Sequence, residues 1–80
     1  MIEEKIKEII SEIIRLRQEN GLTQKQLEEL SNIKQPIIAR MEKGTNIPQL
    51  NTILKLLKPL GKTIAIIPLE TTKPTKIEVN

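Results

Sequence analysis

Gln35 and Arg40 are the residues of this chain best equipped to read another molecule. A glutamine amide offers a donor beside an acceptor, matching N6 and N7 of adenine, and a guanidinium offers paired donors, matching O6 and N7 of guanine. Lys34, Gln35, Ile37 and Arg40 fall on the outer face of one short helical segment, with Ile37 suited to a thymine methyl group. Lys43, Thr45 and Asn46 follow in a loop, placed for backbone phosphate contacts, which set affinity and salt dependence rather than sequence choice. By residue type alone, an ordinary solvent-facing helix could carry the same side chains.

Other chemistry is thinly supplied. The chain has no histidine and no cysteine, so thiol catalysis, disulfides, the usual zinc sites and the commonest general base are missing. The adjacent carboxylates Glu28 and Glu29 have no such partner and read as a solvated face. An enzyme is not expected, nor a cofactor or a metal. The net charge is +3, unevenly spread: residues 1–20 hold five acids and four bases, residues 21–60 three acids and six bases. The basic excess thus lies around Gln35 and Arg40. No signal peptide opens the chain and no apolar run reaches the roughly 18 residues that span a bilayer, so a cytoplasmic protein without a membrane partner is expected.

Eighty residues support one core. That core must be aliphatic, since aromatic residues are absent and isoleucine makes up half of the hydrophobic set. Ile2, Ile6, Ile9, Ile10, Ile13, Ile14 and Leu16 form one helical stripe and predict a helix over Ile2 to Glu19, stopped at Asn20-Gly21. Thr23 with Gln26 three residues on is a capping-box pattern opening a second helix, Gln24 to Ser31. A turn over Ser31 to Lys34 leads to a third helix near Gln35-Pro36, where proline sacrifices no hydrogen bond, ending at Lys43-Gly44. Pro48 opens a fourth, with the stripe Leu50, Ile53, Leu54 and Leu57, closing over Pro59 to Gly61. Leu27, Leu30, Ile33, Ile38, Met41, Leu50, Ile53, Leu57 and Leu60 are expected in the core. The β-branched run Thr63 to Ile67 reads as a strand, with a second possible at Lys76 to Val79.

Helices joined by a short turn are common and weak evidence by themselves. The residues are more specific. Leu22-Thr23-Gln24-Lys25-Gln26-Leu27, Ile33-Lys34-Gln35, Ile38-Ala39-Arg40-Met41-Glu42-Lys43-Gly44, Pro48, Leu50 and Leu60-Gly61 together resemble the phage-repressor and Cro class of helix-turn-helix proteins, the XRE family, over residues 13 to 61. The resemblance implies a mainly α, four-helix, lambda-repressor-like domain over residues 1–61 that binds double-stranded operator DNA. It implies that Gln35 reads a base, that Gln24 clamps a phosphate and braces Gln35, and that Arg17 pairs with Glu42. Pro36 departs from the pattern, since many relatives carry a polar residue there, and one DNA contact is expected to be missing.

Phage repressors of this class usually continue into a fifth helix after the Leu60-Gly61 position, whereas the segment Leu60 to Leu69 resembles the ending of HipB-like and some HigA-like antitoxins, which pair such strands across a dimer. A lone strand needs a partner. Residues 62–80 are therefore expected to hold a short strand or hairpin that makes a homodimer. The resulting expectation is a dimeric repressor, the antitoxin of a type II toxin-antitoxin pair with a cognate toxin as further partner. The alternatives are a stand-alone or phage-type regulator and a protein-interaction module seated through the isoleucine-rich first helix.

Overall fold

A computed structural model describes residues 2–69. Helix α1 (Ile2–Glu19) follows from its stripe: Ile10, Ile13 and Leu16 are buried, and Ile6, Ile9 and Ile14 pack part-way against them. Glu3 and Glu4 in its first turn and Arg17 in its last complement the helix dipole. On its outer face Arg15 bridges Glu12 and Glu19, and its hydrogen bond holds the Glu12 carboxyl below the ordinary value. Exposed pairs of this kind each contribute at most about 1 kcal/mol.

Helix α2 (Gln24–Ser31) begins with the expected capping box. Gln26 N–H donates to Thr23 Oγ1 at 3.0 Å, and Thr23 N–H donates to Gln26 Oε1 at 2.8 Å. The turn after it is built on Asn32, left-handed at φ 65°, and on the buried Ser31, whose Oγ donates to the Leu27 carbonyl at 2.7 Å and accepts Ile33 N–H at 3.1 Å. Helix α3 (Gln35–Lys43) closes on Gly44 at φ 83°, a conformation that disfavours any side chain. Helix α4 (Leu50–Leu57) starts two residues after Pro48, with Gln49 as N-cap, and tightens into a single 3-10 turn, Lys58–Leu60. Among the described residues no helix is long and apolar enough to cross a membrane.

One aliphatic core joins all five elements: Ile10, Ile13, Leu16, Leu27, Ile33, Ile38, Met41, Ile53, Leu56, Leu57 and Leu60. The expected core is corrected at two positions, since Leu30 is 57% and Leu50 60% exposed. The two errors differ in cause. In α4 two apolar stripes overlap, 50/53/54/57 and 53/56/57/60, each with helical spacing, and periodicity cannot choose between them. Packing selects the second, so Leu56 is fully buried while Leu50 and Leu54 face outward. In α2 the inward positions are Leu27 and Ser31, which leaves Leu30 to the side.

The expected strand Thr63 to Ile67 is also corrected: residues 62–69 have no regular secondary structure. The chain there passes beside α1, forming open grooves with Lys5, Glu8, Ile9 and Glu12, and exposes Ile66, Ile67 and Leu69. A ladder needs a second strand, and none lies alongside among the described residues. The second strand expected at Lys76 to Val79 falls outside them.

Candidate nucleic-acid interface

The helix-turn-helix places α2 and α3 so that the head of α3 meets the head of α2. Four side chains form a continuous polar chain there. Arg17, from the last turn of α1, donates through Nε and Nη2 to the two carboxylate oxygens of Glu42 at 2.8 and 3.0 Å, and through Nη1 to the Leu22 carbonyl at 2.7 Å. Both side chains are nearly buried, at 12% and 10% exposure. The ion pair implied by the family resemblance is therefore present, in the two-pronged geometry that suits guanidinium and carboxylate.

Glu42 has a further task that the sequence did not indicate. Its Oε1 also accepts Gln24 Nε2 at 2.9 Å, and Gln24 Oε1 accepts Gln35 Nε2 at 2.7 Å. An ionised carboxylate can only accept, so Gln24 must turn its amide nitrogen to Glu42 and its oxygen to Gln35. Gln35 must answer with a donor. What remains free on Gln35 is its carbonyl oxygen and one N–H, the pair that matches the N6 and N7 edge of adenine. A nearly buried ion pair thereby fixes the orientation of the half-buried Gln35 amide through one intermediate side chain.

The other candidates divide by exposure. Lys34, Arg40, Lys43, Thr45 and Asn46 are exposed, and the Arg40 guanidinium has no partner among the described residues. Gln24 and Gln35 are half-buried by their mutual bond. Thr45 is partly engaged: its N–H and its Oγ1 both donate to the Arg40 carbonyl at 3.0 Å, closing the end of α3. Ile37 is half-buried and packs against the core, so only part of its side chain is left for a base.

The heads of the two helices differ. At α2 the Gln24 and Lys25 N–H groups have no acceptor among the described residues, leaving donors and the positive end of a dipole open to an anion. At α3 the Gln35 N–H donates to Glu28 Oε1 at 2.9 Å. Glu28 is thus not part of a solvated face as the sequence suggested. Its carboxyl is held below its ordinary value, first by that backbone bond and then by Lys25 and Lys34. Among the described residues no cluster of three or more His, Cys, Asp or Glu is placed to hold a metal.

A mainly helical unit whose second and third helices present polar side chains at their joined ends fits the class of helix-turn-helix DNA-binding regulators. The helix-turn-helix family model matches residues 13–67, and the chain belongs to that family, of the XRE type. An "Uncharacterized HTH-type transcriptional regulator" of Haemophilus influenzae is 62% identical over 61 residues, which cover 76% of this chain and 62% of that protein. The match thus spans about three-fifths of the relative's length. Among solved structures, a "Toxin-Antitoxin module from Streptococcus pneumoniae" is similar with a TM-score of 0.72 and 53% identity, over 85% of this chain and 75% of that one.

Proposed function

We propose that the protein is a sequence-specific repressor that binds operator DNA as a homodimer and serves as the antitoxin of a toxin-antitoxin pair, repressing its own operon. The observation that carries the DNA reading is the polar chain Arg17, Glu42, Gln24, Gln35, in which a nearly buried ion pair orients one half-buried amide. In this reading α3 enters the major groove. Gln35 reads adenine, Arg40 reads guanine, and Ile37 offers its exposed edge to a thymine methyl. The free N–H groups at the head of α2 bind one phosphate beside Gln24, while Lys34, Lys43, Thr45 and Asn46 hold others.

The homodimer rests on the segment 62–69, whose exposed Ile66, Ile67 and Leu69 suit burial against the same segment of a second copy. Two reading heads then meet half-sites about 34 Å apart, one turn of the duplex. The antitoxin role is supported by the similarity to the pneumococcal module, and a cognate toxin is the partner it calls for. A toxin is expected to co-purify when the neighbouring small gene is expressed with this one.

Selection of bound sites from genomic fragments tests the reading directly: one palindromic site should emerge. On that site Arg40→Ala is expected to weaken binding about 5- to 150-fold, the range of one two-pronged base contact, with non-specific binding little changed. Equal loss on both DNAs would overturn direct readout by Arg40.

A further inference from the structure

Helix α3 lacks the usual means of closing its first turn. Its N-cap residue, Lys34, provides no side-chain acceptor, and Pro36 has no N–H. Ile37 and Ile38 both donate to the Lys34 carbonyl, at 2.9 and 3.2 Å. The one remaining donor, Gln35 N–H, is taken by Glu28 from the neighbouring helix, seven residues earlier in the chain. From Gln35 to Ile38 no N–H is left for an outside anion. The Glu28 carboxylate is largely covered, at 17% exposure, and it sits where the helix dipole places positive charge. The cations facing it are Lys25 of α2, whose Nζ lies 3.3 Å away, and Lys34 at the head of α3.

We infer that Glu28 is a specificity-determining positioning residue: borrowed from α2 as the cap of α3, it closes the recognition helix to phosphate and fixes the backbone of Gln35. The inference rests on the operator reading above and extends it to a residue that touches no base. The recognition helix then meets DNA through side chains alone, and the phosphate anchor is left to the open head of α2. Pro36 fits this arrangement, because a residue without an N–H adds no donor to a helix end that is already closed. A carboxylate near the DNA also repels phosphates, so it lowers affinity for all sequences while keeping the reader in register.

Two measurements test the inference, one of them without DNA. In nuclear magnetic resonance spectra the Gln35 amide should shift with pH as Glu28 protonates, with a midpoint below the ordinary 4.5, and Glu28→Ala should abolish that titration. With DNA, Glu28→Ala should raise affinity for a random duplex, steepen its salt dependence by about one phosphate contact, and lower the ratio of selected-site to random binding about tenfold. Glu29→Ala removes the same charge from an exposed neighbour and should leave the ratio within about twofold. If Glu28→Ala folds poorly, Glu28→Gln supplies the complementary test: it keeps an acceptor for Gln35 while removing the charge, so it should abolish the titration and leave the ratio of selected-site to random binding near that of the wild type.

A Gln35 amide indifferent to Glu28 would overturn the cap, and equal shifts in the ratio from the Glu28 and Glu29 variants would overturn the specificity role. A wild-type chain that prefers no selected duplex would instead overturn the operator reading and the specificity role together, with the amide titration still deciding the cap.

Discussion

The joined heads of α2 and α3 and the segment after Gly61 are opposite solutions to the same problem of what to do with polar backbone and surface. At the helix heads, Arg17, Glu42, Gln24, Gln35 and Glu28 are tied together by hydrogen bonds, while the Gln35 carbonyl oxygen and one of its amide N–H groups remain outward. In residues 62–69 the Lys62 N–H donates to the Leu57 carbonyl at 3.1 Å, no regular secondary structure follows, and Ile66 is fully exposed. The difference teaches which region is complete in a single chain. The joined helix heads are assembled within the one chain, whereas the segment after Gly61 leaves apolar side chains uncovered.

Perturbations should therefore cost folding free energy at the first region and assembly at the second. The largest loss is expected from Glu42→Ala, which strands the nearly buried Arg17 charge and releases Gln24: about 3 kcal/mol, read from urea denaturation. Thr23→Ala should cost about 1 kcal/mol in the same assay, because only the capping box of α2 is removed. Ile66→Asp should change the unfolding free energy of the monomer by less than about 0.5 kcal/mol while abolishing the dimer in light scattering. A dimer that persists with Asp at 66 would break the contrast between the two regions.

The smallest effect is that of pH. Glu28 has a depressed folded-state value, so its contribution is fully present above the ordinary carboxylate value of 4.5 and is lost as pH falls through the lower, folded value. Glu12 acts in the same direction through Arg15. Urea midpoints compared at pH 6 and pH 3 should fall for the wild type and fall less for Glu28→Gln, whose neutral amide cannot titrate.

Much of the fold was legible because it is written in local rules. The stripe of α1, the Thr23 and Gln26 box and the Gly44 stop each involve residues within a turn or two of each other, and each was found where the spacing placed it. The core of α4 was read less well, since the sequence offered two stripes and only the packing of the folded chain favours Leu56 over Leu50. Of the candidate site, the residue types of Gln35 and Arg40 were plain, and the family resemblance implied Gln24 beside Gln35 and Arg17 beside Glu42. Glu28 was misread, because nothing in Glu28-Glu29 tells which carboxylate turns toward a backbone N–H seven residues on.

The sequence by itself determined the helices, their caps and the aliphatic character of the core, since hydrophobic period and capping chemistry act over three or four residues. Only the tertiary structure decided the orientation of the Gln35 amide and the closure of the recognition helix. Those depend on where Arg17, Glu42 and Glu28 come to rest after the chain has turned, and hydrogen bonds between distant residues leave no periodic trace in the sequence that makes them.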